Sequence, residues 1–179
     1  MMRIITGKAR GVRLETPAGE TTRPTAEKVK EALFSSLGQE VVGARVLDLF
    51  AGSGQLALEA LSRGAVSAVM CDTSDDACKA IQKNIEKTRL EGAKLIKADL
   101  KKSLAMLSGQ SFDLIFLDPP YKKQLIPGVL DSLDAGGYVA RGGIIVCEDE
   151  VSEPYQKDGY TLRKFGHYGR IYITILQRE

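Results

Sequence analysis

The chain of 179 residues has few cysteines and a single histidine, and both shortages limit the chemistry available to it. Its three cysteines, Cys71, Cys78 and Cys147, form no C-x-x-C pair, which argues against a disulfide framework or a structural zinc site. We expect them to be small buried residues in a reducing compartment. The lone His167 excludes metal sites built on several histidines, and a Ser-His-Asp triad would depend on this one residue.

Long hydrophobic runs are also missing. The longest are short, such as residues 144–147, and residues 1–8 hold too brief an apolar stretch for a secretory signal. With 44% hydrophobic and 27% charged residues, the composition is that of an ordinary globular domain. We therefore expect a cytoplasmic protein with no membrane partner.

The net charge is only +2, but the charges are unevenly distributed. Residues 1–14 carry Arg3, Lys8, Arg10 and Arg13 and no acid. Cations grouped in this way can bind phosphates, because each contact releases counterions. Charges that only solvate the surface are the simpler explanation, and composition alone favours it.

Alternating strand and helix patterns from about residue 44 onward predict a parallel sheet with helices on both faces. The expected parallel strands are 45–50, 66–71, 94–98, 112–117 and 144–148. Two further strand-like runs, 160–165 and 170–177, flank a short link that contains glycine and predict an antiparallel hairpin. The fold class is therefore α/β, with a mostly parallel sheet that ends in a hairpin.

Residues 1–43 do not follow this pattern and are predicted to form a basic N-terminal extension. Residues 3–14 are short, basic and broken by two glycines, which favours a small hairpin. The Arg23-Pro24-Thr25 segment then opens a helix whose apolar residues share one face. We expect this helix to pack on the sheet, and the hairpin, which has few apolar residues, to project as an arm.

The segment 48–57, Asp-Leu-Phe-Ala-Gly-Ser-Gly-Gln-Leu-Ala, runs from a strand through a glycine loop into a helix. Gly52 and Gly54 let the backbone approach a ligand closely. Gly52-x-Gly54-x-x-Ala57, with Asp72 18 residues after Gly54, also matches the dinucleotide-binding fingerprint, so an NAD enzyme is one alternative. Asp48 favours a different ligand, because its carboxylate would attract a cationic amino group and repel a pyrophosphate.

Two more acids follow predicted strands. Asp72 ends the second strand and could accept both ribose hydroxyls of an adenosine, whereas Asp99 ends the third and could bind an adenine amino group. Each acid alone could instead only cap the next helix. Because parallel strands bring their carboxyl ends to one edge of the sheet, Asp48, Asp72 and Asp99 together predict a nucleoside-binding cleft.

The most specific motif, Asp118-Pro119-Pro120-Tyr121, directly follows the fourth predicted strand. Its prolines fix the backbone and remove two N–H donors, which leaves carbonyl and carboxylate acceptors facing the cleft. Such a cluster suits an exocyclic amino group, whose lone pair would be drawn toward an incoming methyl group when both N–H groups are bound. Tyr121 would supply a flat face that stacks on the base. A proline turn that only closes the strand would leave the Asp and the aromatic ring unexplained.

These motifs resemble a known family. Asp-x-Phe-x-Gly-x-Gly followed by Asp-Pro-Pro-Tyr at this spacing is similar to class I S-adenosylmethionine methyltransferases that modify amino nitrogens. The resemblance extends to Arg-Ile-Ile-x-Gly-Lys-x-Arg-Gly at 3–11, Thr-Arg-Pro-Thr at 22–25 and Glu-Ala-x-Ser-Arg-Gly at 59–64. With these segments, essentially the whole chain resembles the RsmD-type small-subunit rRNA guanine-N2 methyltransferases.

The resemblance implies a seven-stranded, Rossmann-like methyltransferase domain at 44–179, preceded by an RNA-contacting extension at 1–43. It implies S-adenosyl-L-methionine as the cofactor. We expect direct transfer without a metal, and no obligate protein partner is evident from the sequence. The substrate would be N2 of one guanine in bacterial 16S rRNA, presented within an assembled or partly assembled small ribosomal subunit.

The resemblance and the motifs together assign roles to individual residues. The cofactor site comprises Asp48, Phe50, Ala51, Gly52, Ser53, Gly54, Asp72, Thr73, Asp99 and Leu100. The catalytic motif that holds the target amine comprises Asp118, Pro119, Pro120 and Tyr121. The residues expected to bind RNA are Arg3, Lys8, Arg10, Arg13, Arg23 and Thr25.

Three rival functions remain open at this point. A DNA adenine-N6 methyltransferase uses the same Asp-Pro-Pro-Tyr motif, although residues 1–43 leave little room for a DNA-reading domain. A non-catalytic RNA-binding module with a relic cofactor fold would have no need of intact acids. An NAD oxidoreductase would have no use for an acceptor-only proline loop.

Overall fold

The computed structural model describes residues 2–19, 24–120 and 124–179. Its helices are α1 (Pro24–Leu37), α2 (Gln55–Ser62), α3 (Asp75–Thr88), α4 (Leu100–Met106) and α5 (Ile126–Ala135), with a 3-10 turn at Gly38–Val41. Its strands are β1 (Arg45–Asp48), β2 (Ser67–Asp72), β3 (Ala93–Lys97), β4 (Phe112–Leu117), β5 (Val139–Asp149), β6 (Tyr160–Tyr168) and β7 (Ile171–Arg178). Among the described residues, no helix is both long and apolar enough to cross a membrane.

The seven strands form one sheet in the order β3-β2-β1-β4-β5-β7-β6. The first five in this order pair in parallel, whereas β7 runs antiparallel to both β5 and β6. The predicted fold class is therefore confirmed, including the C-terminal antiparallel hairpin.

One strand boundary differs markedly from the prediction, because β5 begins at Val139 rather than at residue 144. Val139 pairs with Phe112, and the register then shifts before Ile144 pairs with Leu114. Gly142, with φ of +74°, lies in the irregular segment. A bulge of this kind interrupts the apolar alternation, so the first part of the strand carries no strand pattern in the sequence.

Helices cover both faces of the sheet and create two hydrophobic cores. The first core packs α1, α2, α3 and the N-terminal residues against one face, and the second packs α4 and α5 against the other. All three cysteines are buried, as expected, and Cys71 and Cys147 lie in the second core.

Residues 2–14, the N-terminal hairpin, pack against the domain, so the expectation of a projecting arm is wrong. Arg3 and Arg13 form an antiparallel bridge, which brings the two halves of the hairpin together. Ile4 is fully buried, and Ala9 and Leu14 are buried with it in the first core. Few apolar residues suffice here because the hairpin contributes to a core that already exists rather than building its own.

Polar contacts with α2 fix the same hairpin in place. The fully buried carboxylate of Glu59 accepts the backbone N–H of Ile5 at 2.9 Å and that of Thr6 at 3.1 Å. The Ser62 hydroxyl donates to the Thr6 carbonyl at 2.7 Å. Gly7 has φ of +94°, and a Cβ there would lie 1.8 Å from the Ser62 carbonyl oxygen, so only glycine fits. The Glu-Ala-x-Ser-Arg-Gly segment therefore anchors the hairpin.

Candidate active site

A cavity of about 840 Å³ opens at the carboxyl edge of the sheet, on the face that α1 covers. The ends of the parallel strands and the loops that follow them form one wall. The other wall comes from α1 and from the N-terminal residues Met2, Pro17 and Ala18. A concave site of this size with convergent polar groups is typical of a small-molecule pocket.

Strand periodicity explains why several carboxylates meet in this cavity. The side chains of Val46, Met70, Phe116 and Val146 belong to the first core, whereas those of the residues that follow them belong to the second. Because side chains alternate along a strand, two residues further on the chain faces the first core again. The residues at these positions are Asp48, Asp72, Asp118 and Glu148, and all four line the cavity.

Nine of the ten residues assigned to the cofactor line the cavity, and Gly54 is the exception. Gly54 caps α2 with φ of +81°, and a Cβ there would lie 2.9 Å from the Met70 sulfur. This glycine is therefore required by its conformation and by packing against the core. Gly52, with φ of +60°, lies at the cavity and donates its N–H to Asp72 Oδ2 at 2.9 Å.

The Asp72 carboxylate organises the loop as well as facing the cavity. Besides the bond from Gly52, its Oδ1 accepts the backbone N–H of Ser74 at 3.0 Å. Each carboxylate oxygen can accept a second hydrogen bond, so Asp72 retains acceptor capacity for hydroxyl groups. Asp99 combines two roles in the same way, because its Oδ1 accepts the Lys102 N–H at 2.8 Å and caps α4 while the residue lines the cavity.

Asp48 is the most deeply buried of these acids, with 1% of its surface exposed. Burial raises the pKa of its carboxyl group to about 7, and the nearby charges of Asp72 and Glu148 raise it further. The backbone N–H of Phe50, 3.3 Å from Asp48 Oδ1, acts in the opposite direction. A buried carboxylate flanked by two others is suited to a cationic group, which would relieve the cost of ionising it.

The proline motif continues directly from β4 into the cavity. Asp118 is half-buried, Pro119 is buried, and both line the cavity with Pro120. Tyr121 and Arg23 lie outside the described residues, and so does the side chain of Thr25.

The cations of the N-terminal hairpin lie on the surface. Lys8, Arg10 and Arg13 are exposed, whereas Arg3 binds Glu27 of α1 at 2.9 Å. The hairpin begins at the cavity, where the sulfur of Met2 lies 3.1 Å from the Ser53 hydroxyl. The hairpin therefore starts at the acid-lined cavity and extends along α2, where the backbone N–H of Lys8 donates to the Ser62 carbonyl at 2.9 Å.

Three charged residues of the cavity wall were missed by sequence reasoning: Lys30, Glu148 and the exposed Asp76 of α3. Lys30 of α1 is only 3% exposed and donates to the Arg3 carbonyl at 2.7 Å, and burial lowers the pKa of its ammonium group. Glu148 of β5 lies in an acidic run from which the sequence does not single it out. Alternation from Val146 could have indicated its direction. Helical spacing likewise places Lys30 on the same face of α1 as the buried Leu33 and Phe34, three and four residues further on.

The strand order defines the fold, which solved S-adenosylmethionine-dependent methyltransferases share. The chain belongs to the Conserved hypothetical protein 95 family, whose model matches residues 2–177. This family membership confirms the resemblance to RsmD-type proteins.

Individual relatives match along almost their full length. The YlbH protein of Bacillus subtilis is 36% identical over 99% of this chain and 100% of its own length. Ribosomal RNA small subunit methyltransferase D of Escherichia coli is 32% identical, over 99% of this chain and 90% of its own. The solved structure of the Escherichia coli protein yhhF superimposes with a TM-score of 0.89 at 32% identity and covers 99% of this chain and 98% of that one.

Proposed function

We propose that the protein transfers a methyl group from S-adenosyl-L-methionine to the exocyclic N2 amine of one guanine in small-subunit rRNA. One observation carries the proposal: the acids expected to bind the cofactor and the Asp-Pro-Pro segment expected to hold an amine share one cavity. Its relatives include a ribosomal RNA small subunit methyltransferase, which supports rRNA as the substrate class.

The carboxylates that line the cavity match the polar groups of this cofactor along its whole length. Asp99 and Asp72, after β3 and β2, offer acceptors to the amino group and ribose hydroxyls of an adenosine. Asp48, at the end of β1, offers a buried negative charge to the cationic amino group of the methionine part. When bound, S-adenosylmethionine supplies an electrophilic methyl group. Asp48 pairs with Phe116 on the neighbouring strand β4, and Asp118, two residues further on, lines the same cavity, where the acceptor nitrogen would be held.

Catalysis would come from orientation and from hydrogen-bond acceptors. The amine of guanine is a weak nucleophile because its lone pair is delocalised into the ring. Asp118 and the carbonyl groups of the proline segment would accept its two N–H bonds, hold it in line for direct transfer and favour the positive charge that develops on nitrogen. No covalent enzyme intermediate and no metal are needed for this route.

The exposed cations of the N-terminal hairpin would bind the phosphates around the target. Contacts from Glu59 and Ser62 hold the hairpin backbone, so Lys8, Arg10 and Arg13 are presented on a fixed support. A guanine amine is poorly accessible within a helix, so the target nucleotide would be unpaired or flipped out. We further propose that this occurs on an assembled or partly assembled small subunit in the cytoplasm, without an obligate protein partner.

The role of the hairpin can be tested by the salt dependence of RNA binding. Each phosphate contact contributes roughly 0.7 to 0.9 to the slope of log affinity against log salt. Replacing Lys8, Arg10 and Arg13 by alanine should therefore weaken binding and reduce the slope by about 2. The control removes three exposed cations from α3 and β3, Lys79, Lys83 and Lys94. Equal slopes for the two triple variants would refute the role of the hairpin.

The activity itself is tested with labelled S-adenosylmethionine. Small ribosomal subunits from cells lacking the gene, naked 16S rRNA and double-stranded DNA would be offered in parallel and digested to nucleosides. We expect label in N2-methylguanosine from the subunits. Label only in DNA adenine would indicate the rival methyltransferase, and bound cofactor without transfer to any substrate would indicate a binding module.

A further inference from the structure

Glu148 occupies a position in the cavity to which the proposed reaction assigns no role. It lies at the carboxyl end of β5, and Leu117 pairs with Cys147 in the parallel register, so Glu148 lies next to Asp118. Both residues are half-buried and both line the cavity. Neighbouring strands are about 4.8 Å apart, so two carboxylates at this place can reach adjacent hydrogen-bond donors of one ligand.

The order of the strands places Glu148 on the substrate side of the cavity. The residues expected to bind the cofactor follow β3, β2 and β1, and Asp118 follows β4, which is next in the sheet. Glu148 on β5 and Ile171 at the start of β7 lie beyond Asp118 in the same direction, and both line the cavity. A base whose amine is held at Asp118 would therefore extend toward Glu148.

The chemistry of the purine edge makes a carboxylate here selective. In guanine, the exocyclic amine stands beside N1–H, so both neighbouring groups are donors. In adenine, the amine stands beside an unprotonated N1. This nitrogen is a hydrogen-bond acceptor, so a carboxylate next to it would repel it instead of binding it. Enzymes that take a base out of the stack commonly read this edge by hydrogen bonds.

We propose that Glu148 accepts the N1–H of the target guanine and so determines specificity for guanine over adenine. This inference rests on the proposed function and adds the residue that selects the base. It also explains why two carboxylates stand side by side where one would suffice to hold an amine. Partial burial strengthens the discrimination, because a buried acceptor that meets another acceptor loses its water without gaining a partner.

The test uses an analogue that keeps the amine and changes the ring. Small subunits would be reconstituted with 16S rRNA that carries either guanine or 2-aminopurine at the nucleotide the wild-type enzyme methylates. 2-Aminopurine retains the 2-amine but has an acceptor at N1. It also lacks O6, and this loss affects every enzyme variant alike. Single-turnover transfer rates give the guanine to 2-aminopurine ratio for each variant.

The wild-type enzyme should prefer guanine by about 10⁴-fold, because a site built to accept a hydrogen bond from the substrate rejects an analogue that lacks the donor. In Glu148→Gln, whose amide can either accept or donate, the ratio should fall at least tenfold. Glu148→Asp, which keeps the acceptor, should react more slowly but retain the preference. Glu150→Gln is the matched control, since Glu150 is exposed and does not line the cavity.

The outcomes separate this inference from the proposed function. An unchanged ratio in Glu148→Gln, or loss of the ratio in Glu148→Asp, would overturn the role of Glu148 while leaving guanine methylation intact. Equal slowing with both bases would assign Glu148 a structural role only and would also refute the inference. Absence of transfer to guanine by the wild-type enzyme would remove the proposed function and, with it, this inference.

Discussion

The buried acid Asp48 makes a prediction whose sign and size follow from its surroundings. Its pKa is raised from 3.8 to about 7, first by burial and then by the charges of Asp72 and Glu148. At a pH between these two pKa values, Asp48 is protonated in the folded protein and ionised in the unfolded chain. The free energy of unfolding therefore falls as the pH rises from about 4 to about 7, and the loss is complete above pH 7.

The magnitude follows from the same two values. The difference between 3.8 and about 7 corresponds to about 4 kcal/mol of stability lost above pH 7 when no cation is bound. Asp48→Asn preserves the shape of the side chain and cannot ionise. We therefore expect this variant to be more stable than the wild type at pH 8, by several degrees in Tm, and nearly equal to it at pH 4.5.

The assay is a pair of thermal or urea unfolding curves at the two pH values, without cofactor. Asp113→Asn provides a control of opposite sign, because Arg45 binds Asp113 at 3.0 Å and lowers its pKa. That variant should lose stability at pH 8. If Asp48→Asn were less stable than the wild type by the same amount at both pH values, the prediction that ionisation of Asp48 destabilises the folded protein would be refuted.

The affinity for the cofactor should also depend on the ionisation of Asp48, and it should fall as the pH falls. Only the ionised form of Asp48 attracts the amino group, so wild-type affinity should fall about tenfold per pH unit between pH 7 and pH 5.5. Calorimetry in buffers of different ionisation enthalpy should detect release of up to one proton on binding in this range. In Asp48→Asn the affinity should be roughly 10- to 100-fold weaker and independent of pH. A pH-independent wild-type affinity would refute the reasoning.

Two further predictions concern the hairpin and the transfer step. Gly7→Ala places a Cβ 1.8 Å from the Ser62 carbonyl oxygen and should detach the hairpin, which proteolysis and RNA affinity would report. Gly11→Ala is the control, because Gly11 has a similar φ of +84° but no atom within 4 Å of the added Cβ, so the variant has the backbone strain without the clash. Equal losses of RNA affinity in the two variants would exclude the clash as the cause. Asp118→Asn should slow single-turnover transfer about 10²- to 10³-fold while cofactor affinity stays within threefold, whereas Asp113→Asn on the same strand should react normally. A normal rate for Asp118→Asn would refute its role.

Local patterns predicted which acids would meet at the carboxyl edge of the sheet. Asp48, Asp72 and Asp118 each follow an apolar strand, and parallel strands bring such positions to one edge of a sheet. Asp99 was expected either to cap a helix or to bind a ligand, and it caps α4 while lining the cavity. The strand-to-loop context therefore carried most of the information.

Residues that depend on packing between distant segments escaped prediction. Glu59 binds the backbone of Ile5, a residue 54 positions away, and no local pattern encodes this contact. Lys30 shares the buried face of α1 with Leu33 and Phe34, but its partner, the Arg3 carbonyl, lies 27 residues away and no local pattern identifies it. Glu148 stands in an acidic run at the end of a bulged strand, so the sequence does not single out the acid that faces the cavity.

The central claim is most directly tested on the RNA of living cells. Mass spectrometry of 16S rRNA would compare cells that lack the gene with cells complemented by the wild-type gene or by Asp118→Asn. We predict that one N2-methylguanosine disappears on deletion, returns with the wild-type gene and stays absent with the variant. An unchanged N2-methylguanosine content on deletion, or its full return with Asp118→Asn, would contradict the account.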